Sequence, residues 1–327
     1  MKTSQFPIIF LLICFSAVLR AQENTSVLVP SDTLNKQRFK RSLVGGLSVY
    51  GLGSTWLWTQ WYKGFERSPF QFYNDQGSWA SMDKAGHFFS AYQESRIAYQ
   101  YIKWTGLSDK KSLWTAVGIG SGVQLTFEIM DGFSEKWGFS IPDVAFNTLG
   151  VGLFASQELL WSEQRMVLKS SNSFKAYPGA TVEGIDGTVV RLEDRAVELY
   201  GSGPGARYLK DYNTMNIWLS VNPSSFIKSG KSSFPSWLNI ALGYGAENLY
   251  GGFENEWPAE DPVYFLDPVI YPRYSQYYLS LDIDFTRIKT NSAFLKTLFE
   301  LLNLFKFPAP ALEYNRIDGF RFIPMYW

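Results

Sequence analysis

The sequence predicts an α+β protein: an N-terminal bundle of about four apolar helices, then an antiparallel, strand-rich half with one amphipathic helix. Three observations carry this reading. Long apolar segments recur at helical spacing up to about residue 165, and beyond about 175 short alternating runs are separated by Gly, Pro, Asn and Ser. Aromatic residues make up 17% of the chain, with 12 Trp and 19 Tyr, a content that suits membrane interfaces and large half-buried surfaces. Positive and negative side chains balance, so no long-range field favours nucleic acid, and none is expected as a partner.

The expected organisation is a signal peptide over 1–21, a linker over 22–40, a helical domain over 41–165 and a β-rich domain over 175–327. Lys2 precedes the apolar run "FPIIFLLICFSAVL", and Ala21 offers a small residue at the cleavage point. Cys14, the only cysteine, leaves with that segment, and Ile13 before it argues against lipidation. The mature chain then has no disulfide and no thiol chemistry. The expected location is exported, periplasmic and membrane-associated, with the outer membrane an option.

Residues 42–62 carry no charge between Arg41 and Lys63. Their length would cross a bilayer, while their four glycines equally suit a helix buried in a bundle. Three further helices are expected at 82–104, 110–131 and 141–162, with Gly118 and Gly122 as a small-xxx-small pair for close approach. In the second half, "MNIWLSV" (215–221), "WLNIALGYG" (237–245) and "QYYLSLDIDF" (276–285) read as strands. In the last, Tyr277, Leu279, Leu281, Ile283 and Phe285 alternate with Gln276, Tyr278, Ser280, Asp282 and Asp284, which makes a two-faced strand. Residues 292–305 form the amphipathic helix, and "GSGPGAR" (201–207) reads as a flexible loop. The convincing strands fall short of the eight in the smallest single-chain barrels. A half-buried antiparallel sheet is therefore expected, although the chain ends on Trp327 as outer-membrane barrels often end on an aromatic.

The candidate site lies on the apolar helices. Asp83, His87 (the one histidine), Ser90 and Glu94 are spaced 4, 3 and 4 apart and share a helical face. Gln124, Glu128 and Asp131 follow at 4 and 3 on the next helix, and Asp143, Asn147 and Gly150 at the same spacing on the one after. Burying these carboxylates separately would be costly, so the three polar lines are expected to meet around one pocket. His87 is expected within hydrogen-bonding reach of Glu128 or Asp143. Each residue also has a structural role open to it. Asp143 follows Ser140 in "SIPD", a capping box. Asp83 suits the dipole of a first turn, Asp131 begins a Gly-rich turn, and Lys84 extends to solvent or headgroups.

The pattern "DKAGHFFSAY…E-x-x-DG…GFS-x-x-D-x-x-x-N-x-x-G", over about 80–160, resembles a bacterial envelope family of predicted periplasmic lipoproteins (YfiM-like, a domain of unknown function). It is also similar to VanZ-like membrane proteins in its Asp-Lys-x-x-His start, mid-helix Glu and closing Asp-x-x-x-Asn-x-x-Gly. The resemblance implies an envelope setting and brings no established reaction.

Three function classes follow. The first is a membrane-associated, non-catalytic envelope protein with a buried polar network, whose partner is membrane lipid or an envelope component. The second is an enzyme on a lipid-linked or cell-wall substrate, using His87, Glu128 and Asp143 for acid–base work or as metal ligands. No organic cofactor is expected, and one histidine among carboxylates suits a divalent cation such as Mg or Ca. The third is an oligomeric barrel that forms a pore. The chain has no G-x-S-x-G elbow, P-loop, H-E-x-x-H or dinucleotide fingerprint.

Overall fold

In the computed structural model, which describes residues 28–61, 66–227, 234–258 and 261–326, the chain builds its helices first and its sheet second. The expected signal peptide and Trp327 lie outside the described residues. Helix α1 (Lys36–Trp61) is capped by Asn35, whose Oδ1 accepts from Gln37 N and Arg38 N at 3.1 and 3.0 Å. No helix among the described residues is long and apolar enough to cross a membrane. In α1 the glycines, serines and threonines dilute the apolar content of the uncharged stretch. Nor is it buried in a bundle: Leu43, Val44, Leu47 and Leu52 are exposed, and Tyr50 reaches its neighbour through a 2.9 Å hydrogen bond to Thr126.

Helices α2 (Met82–Lys103), α3 (Asp109–Gly132) and α4 (Ile141–Trp161) pack around Tyr92, Tyr99, Leu113, Ala116 and Phe154. Their close approach depends on glycines other than the expected pair. A Cβ at Gly150 would lie 2.4 Å from the Phe88 carbonyl, and one at Gly120 would lie 2.2 Å from Ser95 Oγ. Gly118 and Gly122 have nothing within 4 Å. The small-xxx-small reading is corrected accordingly: those two point away from the contact.

The second half adds strands β1 (Met166–Asn172), β2 (Thr181–Glu183), β3 (Val189–Arg191), β4 (Met215–Val221), β5 (Leu238–Glu247), β6 (Glu256–Trp257), β7 (Tyr264–Phe265), β8 (Tyr274–Ile283), β9 (Ala309–Asn315) and β10 (Gly319–Tyr326). Six of them form one antiparallel sheet in the order β1-β4-β5-β8-β9-β10. Helices α5 (Leu192–Tyr200) and α6 (Pro204–Lys210) lie between strands, and α7 (Ala293–Leu302) is the expected amphipathic helix. The loop reading of 201–207 is thus corrected: Pro204 sits in the first turn of α6, where its missing N–H is not needed.

Alternation along the sheet is as clean as the sequence suggests, but the polar side is the inside. Gln276, Tyr278, Ser280 and Asp282 are buried, while Tyr277, Leu279 and Leu281 are exposed. Inside, Lys169 pairs with Asp282 at 2.8 Å, both side chains wholly buried, and Ser220 donates to the same carboxylate at 2.6 Å. The Glu313 carboxylate accepts from Gln276, Asn315 and Arg321 at 3.0, 2.7 and 2.6 Å. Trp218 fills the centre against Gly243, where a Cβ would meet the indole at 2.6 Å, and Lys306 Nζ lies 4.6 Å from the indole centroid. Residues after α7 pair with the outer edge of β1, through Ser170 N to Leu304 O and Lys306 N to Ser170 O, each 3.0 Å. The sheet thereby curls around its polar side chains.

The two halves meet at the start of α2. Trp79, Ala80 and Ser81 have φ of 52, 50 and 61°, a left-handed run that non-glycine residues adopt only when their surroundings require it. Trp79 N donates to Gly252 O at 2.6 Å, and its ring packs on Tyr200 and Tyr212. Tyr244 donates to the Ala80 carbonyl. These contacts press the first turn of α2 against the strand-rich half.

Candidate functional site

Lys84, in that first turn, is the centre of the cluster. Its ammonium lies 2.7 Å from Asp75, 2.8 Å from Asp83 and 2.7 Å from Asp143, and the side chain is almost wholly buried. The expectation that Lys84 extends to solvent or headgroups is therefore overturned. Three carboxylates from separate segments offset its desolvation and hold it charged, with its pKa raised well above the ordinary lysine value.

Each carboxylate arrives by its own route. Asp75 follows a segment that runs along 132–139, with Gln71 N bonded to Gly132 O at 2.8 Å and Tyr73 N to Phe139 O at 3.0 Å. Its Oδ1 accepts from Ser140 Oγ at 2.6 Å. Asp83 accepts from the Tyr212 hydroxyl at 2.8 Å, a contact from the strand-rich half. Asp143 stands at the start of α4, where Ser140 caps its N–H at 3.1 Å as the motif suggests. The reciprocal half of the capping box is absent, because Ser140 N donates to Glu128 Oε2 at 3.3 Å instead. That substitution frees the Asp143 carboxylate to reach Lys84.

His87 lies one turn further along α2. Its Nδ1 is 3.1 Å from Asn147 Oδ1 and 3.6 Å from Glu128 Oε1, and its Nε2 is 3.8 Å from Asp83 and 3.7 Å from Asp143. Its hydrogen-bond partner is thus an amide and not the expected carboxylate, and the carboxylates surround it at ion-pair distance. Burial pulls the imidazole pKa down, but Asp83, Asp143 and Glu128 outweigh it and raise it to about 9. The ring is then charged at neutral pH, with Nδ1 donating to Asn147. Further down, Gln124 donates to Glu94 at 2.9 Å. Burial raises Glu94 to about 7 and Glu128 to about 8, and burial with the neighbouring Asp83 raises Asp143 to about 7. For Asp83, burial raises the pKa, and His87 and Lys84 overcome it and hold it below the ordinary value.

Asp83, His87, Glu128, Asp143 and Asn147 therefore converge, while Glu94 and Gln124 form a separate pair two turns along α2. Ser90 is half-buried on the same turn-to-turn line of α2. Asp131 sits one turn beyond Glu128 and raises its pKa by charge repulsion. Sequence reasoning missed Asp75, Lys84 and Tyr212. Lys84 had a signal, since it precedes His87 by three residues and so shares its face. Asp75 and Tyr212 had none, because an irregular segment and the far half of the chain bring them in.

Among the described residues, Asp83, His87 and Asp143 each present a ligand atom within 4.8 Å of one another. Glu128, expected as a ligand, is not in that group. Lys84 already places a positive charge 2.8 and 2.7 Å from the two aspartates. Glu94 Oε2, Glu128 Oε1 and Asn147 Nδ2 are buried without a hydrogen-bond partner. Glu94 and Glu128 with their pKa values near neutrality could each carry a proton there.

Residues 71–157 match the family described as predicted periplasmic lipoprotein (DUF2279). The matched segment runs from just before Asp75 to just beyond Asn147, so it holds every helical member of the cluster and excludes Tyr212. The YfiM-like resemblance is thus present over the stretch that carries the motif, and the VanZ-like part finds no support. The match supports an uncharacterised envelope protein in an exported, periplasmic setting. No curated protein and no solved structure matches the chain.

Proposed function

We propose that this is a membrane-associated, non-catalytic envelope protein in which the cluster around Lys84 is an ionic hub. The hub locks the α2–α4 bundle and docks it on the sheet. The observation that carries the reading is the Lys84 ammonium at 2.7–2.8 Å from three carboxylates, one of them also bonded by Tyr212 from the other half. A fixed lysine supplies the charge that a bound divalent cation would otherwise supply, and it occupies Asp143, one of the two carboxylates an acid–base mechanism would use. Thermal melts of the purified chain test it. Unchanged melting with chelator or with added Mg²⁺ or Ca²⁺, together with a large loss for Lys84→Met, is expected.

A second reading has its own observation. The unpartnered atoms of Glu128 and Asn147 beside a charged His87 suit general acid–base work or a divalent cation in an enzyme acting on a lipid-linked or cell-wall substrate. A melting temperature that climbs with Mg²⁺ or Ca²⁺ and drops with chelator would replace the first reading by this one.

A further inference from the structure

The sheet is inverted relative to a water-soluble one, and the apolar side is one continuous surface. Across it runs a cross-strand row, Leu242, Leu279, Leu312 and Phe322, in direct register on β5, β8, β9 and β10. A second row, Tyr244, Tyr277, Tyr314 and Phe320, runs parallel to it two residues away. At the β1–β4 end the same face is already covered, since Leu168 and Leu219 pack into the helical core. From β5 onward it is bare except at Tyr244, which reaches back to Ala80 and the Met82 cluster: Leu242 is 53% exposed, Leu279 48% and Phe322 66%.

We infer that the bare β5-β8-β9-β10 face docks on the acyl chains of a lipid bilayer, entering one leaflet. Four features select lipid. No outward position in the two rows carries a charge. Charges begin in the turn just past the aromatic row, at Arg316 and Asp318, so the surface grades from charged to aromatic to aliphatic, the order of a headgroup-to-hydrocarbon boundary. The charged and amide side chains of β5, β8 and β9 are turned inward and satisfied there, as in a sheet whose outer solvent is apolar. Finally, the apolar band from Tyr277 to Ile283 spans about 20 Å at the rise of a β-strand, against about 30 Å for a hydrocarbon core. That is too short to span and long enough for one leaflet. Keeping β10 near the headgroups would also spare its outer edge, where Pro324 removes one backbone donor, from hydrocarbon. This inference rests on the membrane association proposed above and names the surface responsible.

The test places an environment-sensitive fluorophore at position 279 in the mature chain from residue 22, which has no cysteine of its own, carrying Leu279→Cys. A second protein carries Ile185→Cys in the same chain, with Ile185 at 79% exposure on the β2–β3 turn as the control. Vesicles of phosphatidylethanolamine and phosphatidylglycerol are expected to blue-shift the 279 probe, and brominated acyl chains to quench it, with the 185 probe unaffected. Leu279→Lys with Leu312→Lys is expected to weaken vesicle flotation roughly ten-fold or more, since a lysine carried into hydrocarbon costs at least that factor. If the parent chain floats while the 279 probe stays in water, this face is the wrong surface and the membrane association stands. If the parent chain does not float at all, both fall. A 279 probe that blue-shifts with protein concentration in the absence of vesicles would assign the face to a second copy and overturn the lipid proposal.

Discussion

Lys84 and His87 stand three residues apart on one helix, yet the structure ranks them differently. Lys84 has three ion-pair partners and almost no exposure, so Lys84→Met leaves Asp75, Asp83 and Asp143 without their shared cation. Removing one member of a buried ionic group costs about 3–5 kcal/mol. His87 keeps a fifth of its side chain in contact with solvent and makes a hydrogen bond to a neutral amide, so His87→Ala is expected to cost about 1–3 kcal/mol. Denaturant titration of the two variants checks the order. An equal or larger loss for His87→Ala would place the hub on the histidine.

Among the elements, the glycines give a sharp contrast. Gly150→Ala forces a methyl against the Phe88 carbonyl, a backbone atom that cannot rotate away, and is expected to destabilise by about 1–3 kcal/mol. Gly118→Ala meets open space inside a helix and is expected to stabilise by about 0.5–1 kcal/mol. Thermal melts decide, and a destabilising Gly118→Ala would restore the expected helix contact. The same contrast shows what was legible. Periodicity located α2, α3 and α4 and the shared face of Asp83 and His87, because 3.6-residue spacing is a local property. Which glycine meets a neighbouring helix depends on rotation about the axis, set by partners the local pattern does not name. The sheet makes the point again. Period two identified the two faces of β8, but it reads the same with either face inside. Only the β1–β10 arrangement, with Lys169 and Lys306 supplied from outside β8, puts Asp282 in the interior.

At the scale of the whole molecule, burial has made folding a proton-binding event. Glu94 and Glu128, which lie outside the Lys84 ion pairs, have folded pKa values of about 7 and 8, above the ordinary carboxylate range, because burial disfavours their charged forms. As pH rises from 5 toward 8 the unfolded chain has already released these protons and the folded one has not, so stability falls across that interval. His87 acts in the same sense: its raised pKa of about 9 gives stability that is complete below the unfolded value near 6.5 and is lost as pH climbs through 9. Asp83, held below its ordinary value, works the other way only in acid, below about 4. Lys210 and Lys306, drawn down to about 8 by burial, oppose the trend only above that pH. Burial also draws Lys136 and Lys169 down and pushes Glu300 up; Glu94 and Glu128 titrate inside the interval from 5 to 8, and the melting temperature is expected to drop through it. Glu128→Gln removes the carboxyl with the higher of the two values and should flatten the profile, raising stability at pH 8 more than at pH 5. A parent profile that is level or rises between pH 5 and 8, or a Glu128→Gln profile parallel to the parent's, would show that these carboxyls ionise freely and that the hub is open to water.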